Sequence, residues 1–274
     1  EEIRERNIFK KEGDHMDLQH ANNVIDKHLR PQTFPVAIRL AGSEDAGPGK
    51  FKQPKKDFGV IMPVCQGVSL SRRYGWTLAM SQEDMLCPLG SLTLGFVPPK
   101  QKFLDGEFNI PFWLPNKETR AKVAQNISKL EYNKYSRIFI APLHKADFDP
   151  QVIIFYGNPA QLSRLVQSNV YANGKPLTSS QSGGFACGGE ITVPFLTDEC
   201  QLIITGGGDR AIAQTQDHEG AFSIPMSQLE GIINGLEATH KAGMRYPTTS
   251  FLTYQAQFPP VFSELMSYLE ESGE

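Results

Sequence analysis

The sequence predicts a mixed α/β (α+β) fold, made of an internally duplicated unit arranged about a pseudo-twofold axis, with a mixed sheet and flanking helices. Three observations carry that expectation. Short apolar runs of strand length, such as Val36–Leu40 and Val152–Tyr156, alternate with stretches of helical spacing. Gly106-Glu107-Phe108-Asn109-Ile110-Pro111 recurs as Gly220-Ala221-Phe222-Ser223-Ile224-Pro225, each ahead of a helix-like segment. Further landmarks repeat in the same order: Cys65–Arg72 with Gly157–Arg164, Cys87–Phe96 with Cys187–Phe195, and Leu29–Val36 with Leu130–Arg137. Read as repeats, they define units of about 100 residues. Residues 1–16 are then an N-terminal extension, with Met16 a candidate start. The first unit covers 17–116, the second covers 117–240, and 241–274 is a tail with a final helix, all in one compact domain.

Each element has a local reason. Leu18, Ala21, Val24, Ile25 and Leu29 lie at helical spacing ahead of Pro31, giving a helix over 17–30. Val36–Leu40 reads as a strand, and Ala41–Asp57 as a solvated loop rich in Gly, Pro and Lys. Val60–Val64 is expected as a second strand, with Cys65 at its hand-over to a helix. Ser81-Gln82-Glu83-Asp84 has the pattern of a capping box and opens a short helix that Pro88 must end or kink. Asn116 caps a helix over Lys117–Leu130. In the second unit, Arg137–Ala141 and Val152–Tyr156 are strands, the latter a continuous run suited to a sheet interior. Gly157-Asn158-Pro159 opens a helix with Pro in its first turn. A flexible stretch, Asn173–Gly184, leads to Cys187. Ile191–Phe195 and Leu202–Thr205 read as strands, and Ser227 as the cap of a helix bearing Leu229, Ile232, Ile233 and Leu236. The tail carries Tyr246, Phe251, Tyr254 and Phe258. Its helix sets Val261, Phe262, Leu265, Met266 and Leu269 on one face.

Bulk properties mostly exclude. With 274 residues the chain can bury a core without staples. A net charge of −3 and the absence of a Lys/Arg run give no nucleic-acid footprint. No apolar run approaches membrane-spanning length, and the charged Glu1–Arg6 is followed by no signal-peptide core. Four irregularly spaced cysteines then suit a reducing cytoplasm better than a disulfide scaffold.

The chemistry is sought where the units diverge. Under pseudo-twofold symmetry Cys87 and Cys187 are equivalent and can face one pocket. Cys65 has Gly157 as its counterpart, so one unit adds a thiol at a helix N-terminus, whose partial charge favours thiolate. Small residues beside Cys87 (Cys-Pro-Leu-Gly) and Cys187 (Cys-Gly-Gly-Glu) let backbone amides approach sulfur. Three thiolates, Cys65, Cys87 and Cys187, with one position open are the arrangement of a reactive metal site or four-iron cluster. Against this, a free Cys is often only a small apolar filler, and no Cys-x-x-Cys pair is present. Cys200 precedes a strand-like run and reads as core, or as an outside fourth ligand. The second divergence is a longer interval after Cys187 containing Gly206-Gly207-Gly208-Asp209-Arg210. Gly207 and Gly208 permit close approach of a ligand, and Arg210 can fork onto a carboxylate or phosphate; a plain turn with a solvated Arg is the alternative. Asp217-His218-Glu219 can supply acid–base function or be an exposed loop. The six histidines show no ligand spacing.

The order Cys65-x-Gly67, Cys87-x-x-Gly90, Gly157-Asn158-Pro159-Ala160-Gln161, Cys187 and Gly208-x-Arg210 resembles the uncharacterised family called domain of unknown function 169. The resemblance spans roughly residues 17 to 238. It implies a cytoplasmic prokaryotic protein with cysteines recurring at these places, and no settled activity. Cys200 matches no such position. Two functional expectations result. One is a metal- or iron–sulfur-binding protein, with zinc as the alternative metal, performing redox or Lewis-acid chemistry on a small molecule, with a redox partner protein. The other is a non-metal small-molecule-binding module or cysteine-thiol enzyme. The catalytic residues are not specified. Neither nucleic-acid nor membrane partners are expected, and a homo-oligomer is compatible with both.

Overall fold

The computed structural model describes residues 17–45, 47–248 and 257–271. The expected extension 1–16 and the tail aromatics Phe251 and Tyr254 lie outside them. The chain runs through α1 (Leu18–Leu29), β1 (Val36–Ala41), α2 (Pro54–Phe58), α3 (Val64–Tyr74), β2 (Leu78–Ser81) and α4 (Pro88–Thr93). It continues with α5 (Gln101–Leu104), α6 (Lys117–Asn126), β3 (Arg137–Pro142), β4 (Val152–Gly157) and α7 (Pro159–Asn173). A π-helical turn, Gly188–Thr192, leads into α8 (Val193–Thr197), followed by β5 (Gln201–Ile203), α9 (Gly207–Ile212) and β6 (Gly220–Pro225). Last come α10 (Leu229–Lys241) and α11 (Pro260–Glu271).

The mixed α+β class is as expected. The sheet has six strands in the order β2-β3-β1-β4-β6-β5. Every strand pairing is antiparallel, not mixed. Successive residues point to opposite faces, so each strand feeds two cores. Ala37, Phe139, Ile153, Phe155, Phe222 and Ile224 pack under α1, α7 and α10. Ile38, Met80, Ile140, Ile154, Tyr156 and Ala221 lie on the other face, with Val64 and Val68 of α3 and Ile191 of the π-turn. All of β4 is buried, which is why its apolar run is unbroken.

Several helix ends obey their sequence signals. Asp17 caps α1, and Arg30 closes it in the left-handed region. At α7, Asn158 and Gln161 form a reciprocal capping box, with Pro159 in the first turn. Gln161 also donates from Nε2 to the Leu29 carbonyl at 2.8 Å, tying the end of α1 to the start of α7. A Cβ at Gly157 would sit 2.5 Å from the Phe155 ring and 2.8 Å from Gln161 Oε1. The Gly-Asn-Pro-Ala-Gln element is therefore a structural joint.

The internal duplication is not confirmed in three dimensions. Gly220–Pro225 is strand β6, whereas residues 106–111 belong to no strand and contain a cis Ile110-Pro111 bond. Helices α3 and α7, aligned as counterparts, cover opposite faces of the sheet, so no axis normal to the sheet relates them. Three expected elements also differ. Residues 60–63 hold only an isolated bridge at Met62, because Pro63 caps α3 immediately afterwards. Ile191–Phe195 is π- and α-helical; its apolar run packs on the sheet rather than joining it. Gln228, not Ser227, is the N-cap of α10, since the Ser227 hydroxyl bonds Asp198.

Helices α7 and α10 approach closely at Gly235, where an added Cβ would lie 2.6 Å from the Ser168 carbonyl oxygen. Gly235→Val is expected to lower stability by about 1–3 kcal/mol, measured by denaturant unfolding.

Candidate functional site

Three of the four cysteines come to one face of the sheet. Cys65 is the second residue of α3, whose apolar side (Val64, Val68) packs on β1, β2 and β3. Cys87 caps α4, its sulfur accepting from the Gly90 N–H at 3.5 Å. Cys187 precedes the π-turn and packs on the same core. Its sulfur lies 3.8 Å from the Thr93 hydroxyl at the end of α4. The Thr192 hydroxyl donates to the Thr93 carbonyl at 3.2 Å, locking α4 to the π-turn. Gln66, next to Cys65, donates to the Ile212 carbonyl at 2.9 Å and joins α3 to α9. The three thiols are near enough to perturb one another: negative charge at Cys187 or Cys87 raises the Cys65 pKa, and charge at Cys87 raises that of Cys187.

The helix N-terminus at Cys65 is opposed by its surroundings. Burial, then the Asp209 carboxylate, pushes this thiol well above its ordinary range. Burial likewise pushes Cys187 up to about 12. Desolvation exceeds what one helix terminus offers. Cys200 is buried among α1, α7 and α10, across the sheet from the other three. Its place is core, and the outside role as fourth ligand does not fit that position.

Around the thiols lies a group of buried acids that the sequence alone did not single out. Glu190, in the π-turn, is 1% exposed. Its Oε2 accepts from the Tyr156 hydroxyl at 3.0 Å, while Oε1 has no partner. Burial, then Asp209, raises its pKa to about 8. Asp209 is also raised, chiefly by burial, although the Gly206 N–H donates to it at 3.1 Å. Burial raises the Tyr156 phenol far above its usual range. The adjacent cation is already engaged: Arg72, 1% exposed, donates to both Glu219 oxygens at 2.9 and 3.0 Å and sits 4.1 Å over the Tyr156 ring. Arg73 adds a third contact to Glu219 at 3.1 Å.

The glycine-rich segment opens a helix rather than forming a plain turn. Gly206, Gly207 and Gly208 all lack positive φ, and they form the N-terminus of α9. Gly207 and Gly208 face open space. Arg210 donates to the Gln216 and Glu219 carbonyls at 2.6 and 3.2 Å, folding the loop that delivers Glu219 to Arg72. Its guanidinium is committed to that loop. Within Asp217-His218-Glu219, Glu219 is a buried structural anion rather than part of an exposed loop. The histidines, unclustered in sequence, do include one spatial pair: His28 and His240 rings meet edge-on at 4.5 Å between α1 and α10. Among the described residues, no three His, Cys, Asp or Glu side chains already stand in a metal-ligating arrangement. No helix among them is long and apolar enough to cross a membrane.

The missed residues had weak signals. Tyr156 ends an apolar strand and Glu190 follows two glycines, and neither pattern is distinctive alone. Only the sheet's alternation sends Tyr156 to the cysteine side.

Comparison with known proteins gives a consistent result. An uncharacterised protein of Methanocaldococcus jannaschii is 24% identical over 222 residues, covering 80% of this chain and 93% of its own. No solved structure matches. The model of the domain of unknown function 169 family, described as uncharacterised ArCR, matches residues 24–235, which include all three site cysteines, Glu190 and Asp209. The chain belongs to that family.

Proposed function

We propose that Cys65, Cys87 and Cys187 together hold a metal ion or an iron–sulfur cluster, with one position left for a small molecule. The single observation behind this reading is the convergence of three thiols, from three remote segments, beside buried carboxyls whose neighbouring Arg72 and Arg210 are already engaged. Thiolate sulfur is the donor that zinc and iron–sulfur clusters take. The raised pKa values of Cys65 and Cys187 support the same reading, because burial keeps these two thiols from ionising until positive charge reaches the site. When bound, the group would supply redox or Lewis-acid chemistry.

The chain's own residues have distinct parts. Cys87 and Cys187 now rest on the Gly90 N–H and the Thr93 hydroxyl. Both would turn from these partners to share a centre with Cys65. Glu190 keeps a proton near neutrality, steadied by Tyr156, and its unpartnered oxygen can pass that proton to a molecule bound beside the sulfurs. Arg72 fixes the Tyr156 ring from behind. A redox role brings a partner protein to exchange electrons. The four cysteines stand unpaired, which suits a reducing cytoplasm.

A cysteine-thiol enzyme is less well supported, since burial holds Cys65 and Cys187 protonated and the cation nearest Tyr156 and Glu219 is spent. Timed iodoacetamide labelling of anaerobically prepared protein separates the two. Joint protection of Cys65, Cys87 and Cys187, lost together on chelation, is expected. One fast-reacting cysteine with the other two unaffected by chelator would favour thiol catalysis.

A further inference from the structure

Helix α11 has no buried residue along its whole length. Phe258, Val261, Phe262, Leu265 and Met266 recur at helical spacing and are all at least half exposed, with Phe258 and Phe262 stacked at 5.4 Å. Such a stripe is the signature of a helix that buries itself against something. Its only charged residues are acidic, Glu264, Glu270 and Glu271. By helical geometry, Glu264 and Glu270 fall on either side of the stripe.

The same chain carries a matching surface. Pro88, Leu89, Leu92, Phe103, Phe108 and Ile110 line an almost wholly apolar groove of about 440 Å³ beside α4 and α5. Phe108 is 52% exposed. Lys100 lines the groove's border and Lys102 is exposed two residues further along, neither in an ion pair among the described residues, while Glu107 is paired by Lys117. An apolar stripe edged with carboxylates is therefore complementary to an apolar groove with lysines beside it, as the helix-in-groove mode of recognition requires.

We propose that α11 of one copy docks in this groove of a second copy, and that the exchange is reciprocal. Each molecule carries both halves, so a twofold pair satisfies two helices and two grooves with one kind of contact. The groove is lined by α4, the helix that Cys87 caps, so the dimer contact lies next to the proposed metal site without depending on it.

Light scattering coupled to size exclusion tests this on the full chain. Twice the 30.5 kDa chain mass is expected. Phe262→Glu with Leu265→Glu, on the helix, and Phe108→Glu, in the groove, should each give monomer with unchanged circular dichroism; all three residues are exposed, so folding should survive. Mixing the helix variant with the groove variant restores one helix–groove pair and should return part of the dimer mass. A monomeric native chain, whether α11 is free, folded back or reserved for another protein, overturns the proposal. So does a dimer that survives Phe108→Glu. Cysteine substitutions should leave the mass unchanged, which separates this result from failure of the metal reading.

Discussion

Arg72→Met is expected to lower the folding free energy by about 3–5 kcal/mol, because it leaves a buried carboxylate without its partner. Glu219 accepts from both guanidinium nitrogens and has little exposure, and Arg73 alone cannot replace that fork. The loss should be larger than for Arg73→Met, whose side chain is more exposed. The double variant Arg72→Met, Glu219→Leu should recover much of the loss, since it removes both charges together. Urea unfolding of these variants, of Glu219→Leu alone and of the native protein gives the comparison. Near-additive losses would mean that Arg72 and Glu219 are not one coupled structural unit.

The second large effect concerns pH. In the metal-free protein, Glu190 keeps its proton up to about pH 8, whereas in the unfolded chain it releases it near 4.5. Between those values the folded state binds more protons, so its stability must fall as pH rises. The contribution is fully present below about 4.5 and lost through about 8. Its size is on the order of a few kcal/mol, at about 1.4 kcal/mol per pKa unit. Asp209, also raised, adds in the same direction. Glu190→Gln cannot ionise, so the difference between native and variant stability profiles isolates this carboxyl from the histidines. A difference that grows in favour of Gln from pH 5 towards 8 is expected; a flat one would place Glu190 in a solvated setting. A bound cation should shrink the effect, because positive charge stabilises the carboxylate.

Much of the fold could be read directly because its signals are local. Asn116 caps α6 and Asn158 with Pro159 opens α7 as their side chains predict, and the unbroken run of β4 is buried on both sides. What misled were signals that short range cannot resolve. The apolar run at Ile191 has strand composition, yet two preceding glycines and Pro194 let it wind over the sheet as a helix. The repeated Gly-x-Phe-x-Ile-Pro pattern forms a strand once and a loop once, because only the second copy has β4 and β5 to pair with. The three cysteines could be nominated from their places in the internal alignment and from the family resemblance, and sheet topology brings them to one face. The acids around them could not be anticipated, since the burial that perturbs Glu190 and Asp209 is set by contacts remote in sequence. The same holds for Arg210: its type suggested a ligand, and its neighbours turn it into a loop clamp.

Elemental analysis of anaerobically purified protein, read beside single Cys→Ser variants, tests the shared inorganic centre most directly. Stoichiometric zinc, or iron with acid-labile sulfide, should appear in the native chain and in Cys200→Ser, and fall sharply in Cys65→Ser, Cys87→Ser and Cys187→Ser. A folded native protein carrying neither metal nor sulfide, or metal that persists through all three site substitutions, would contradict it.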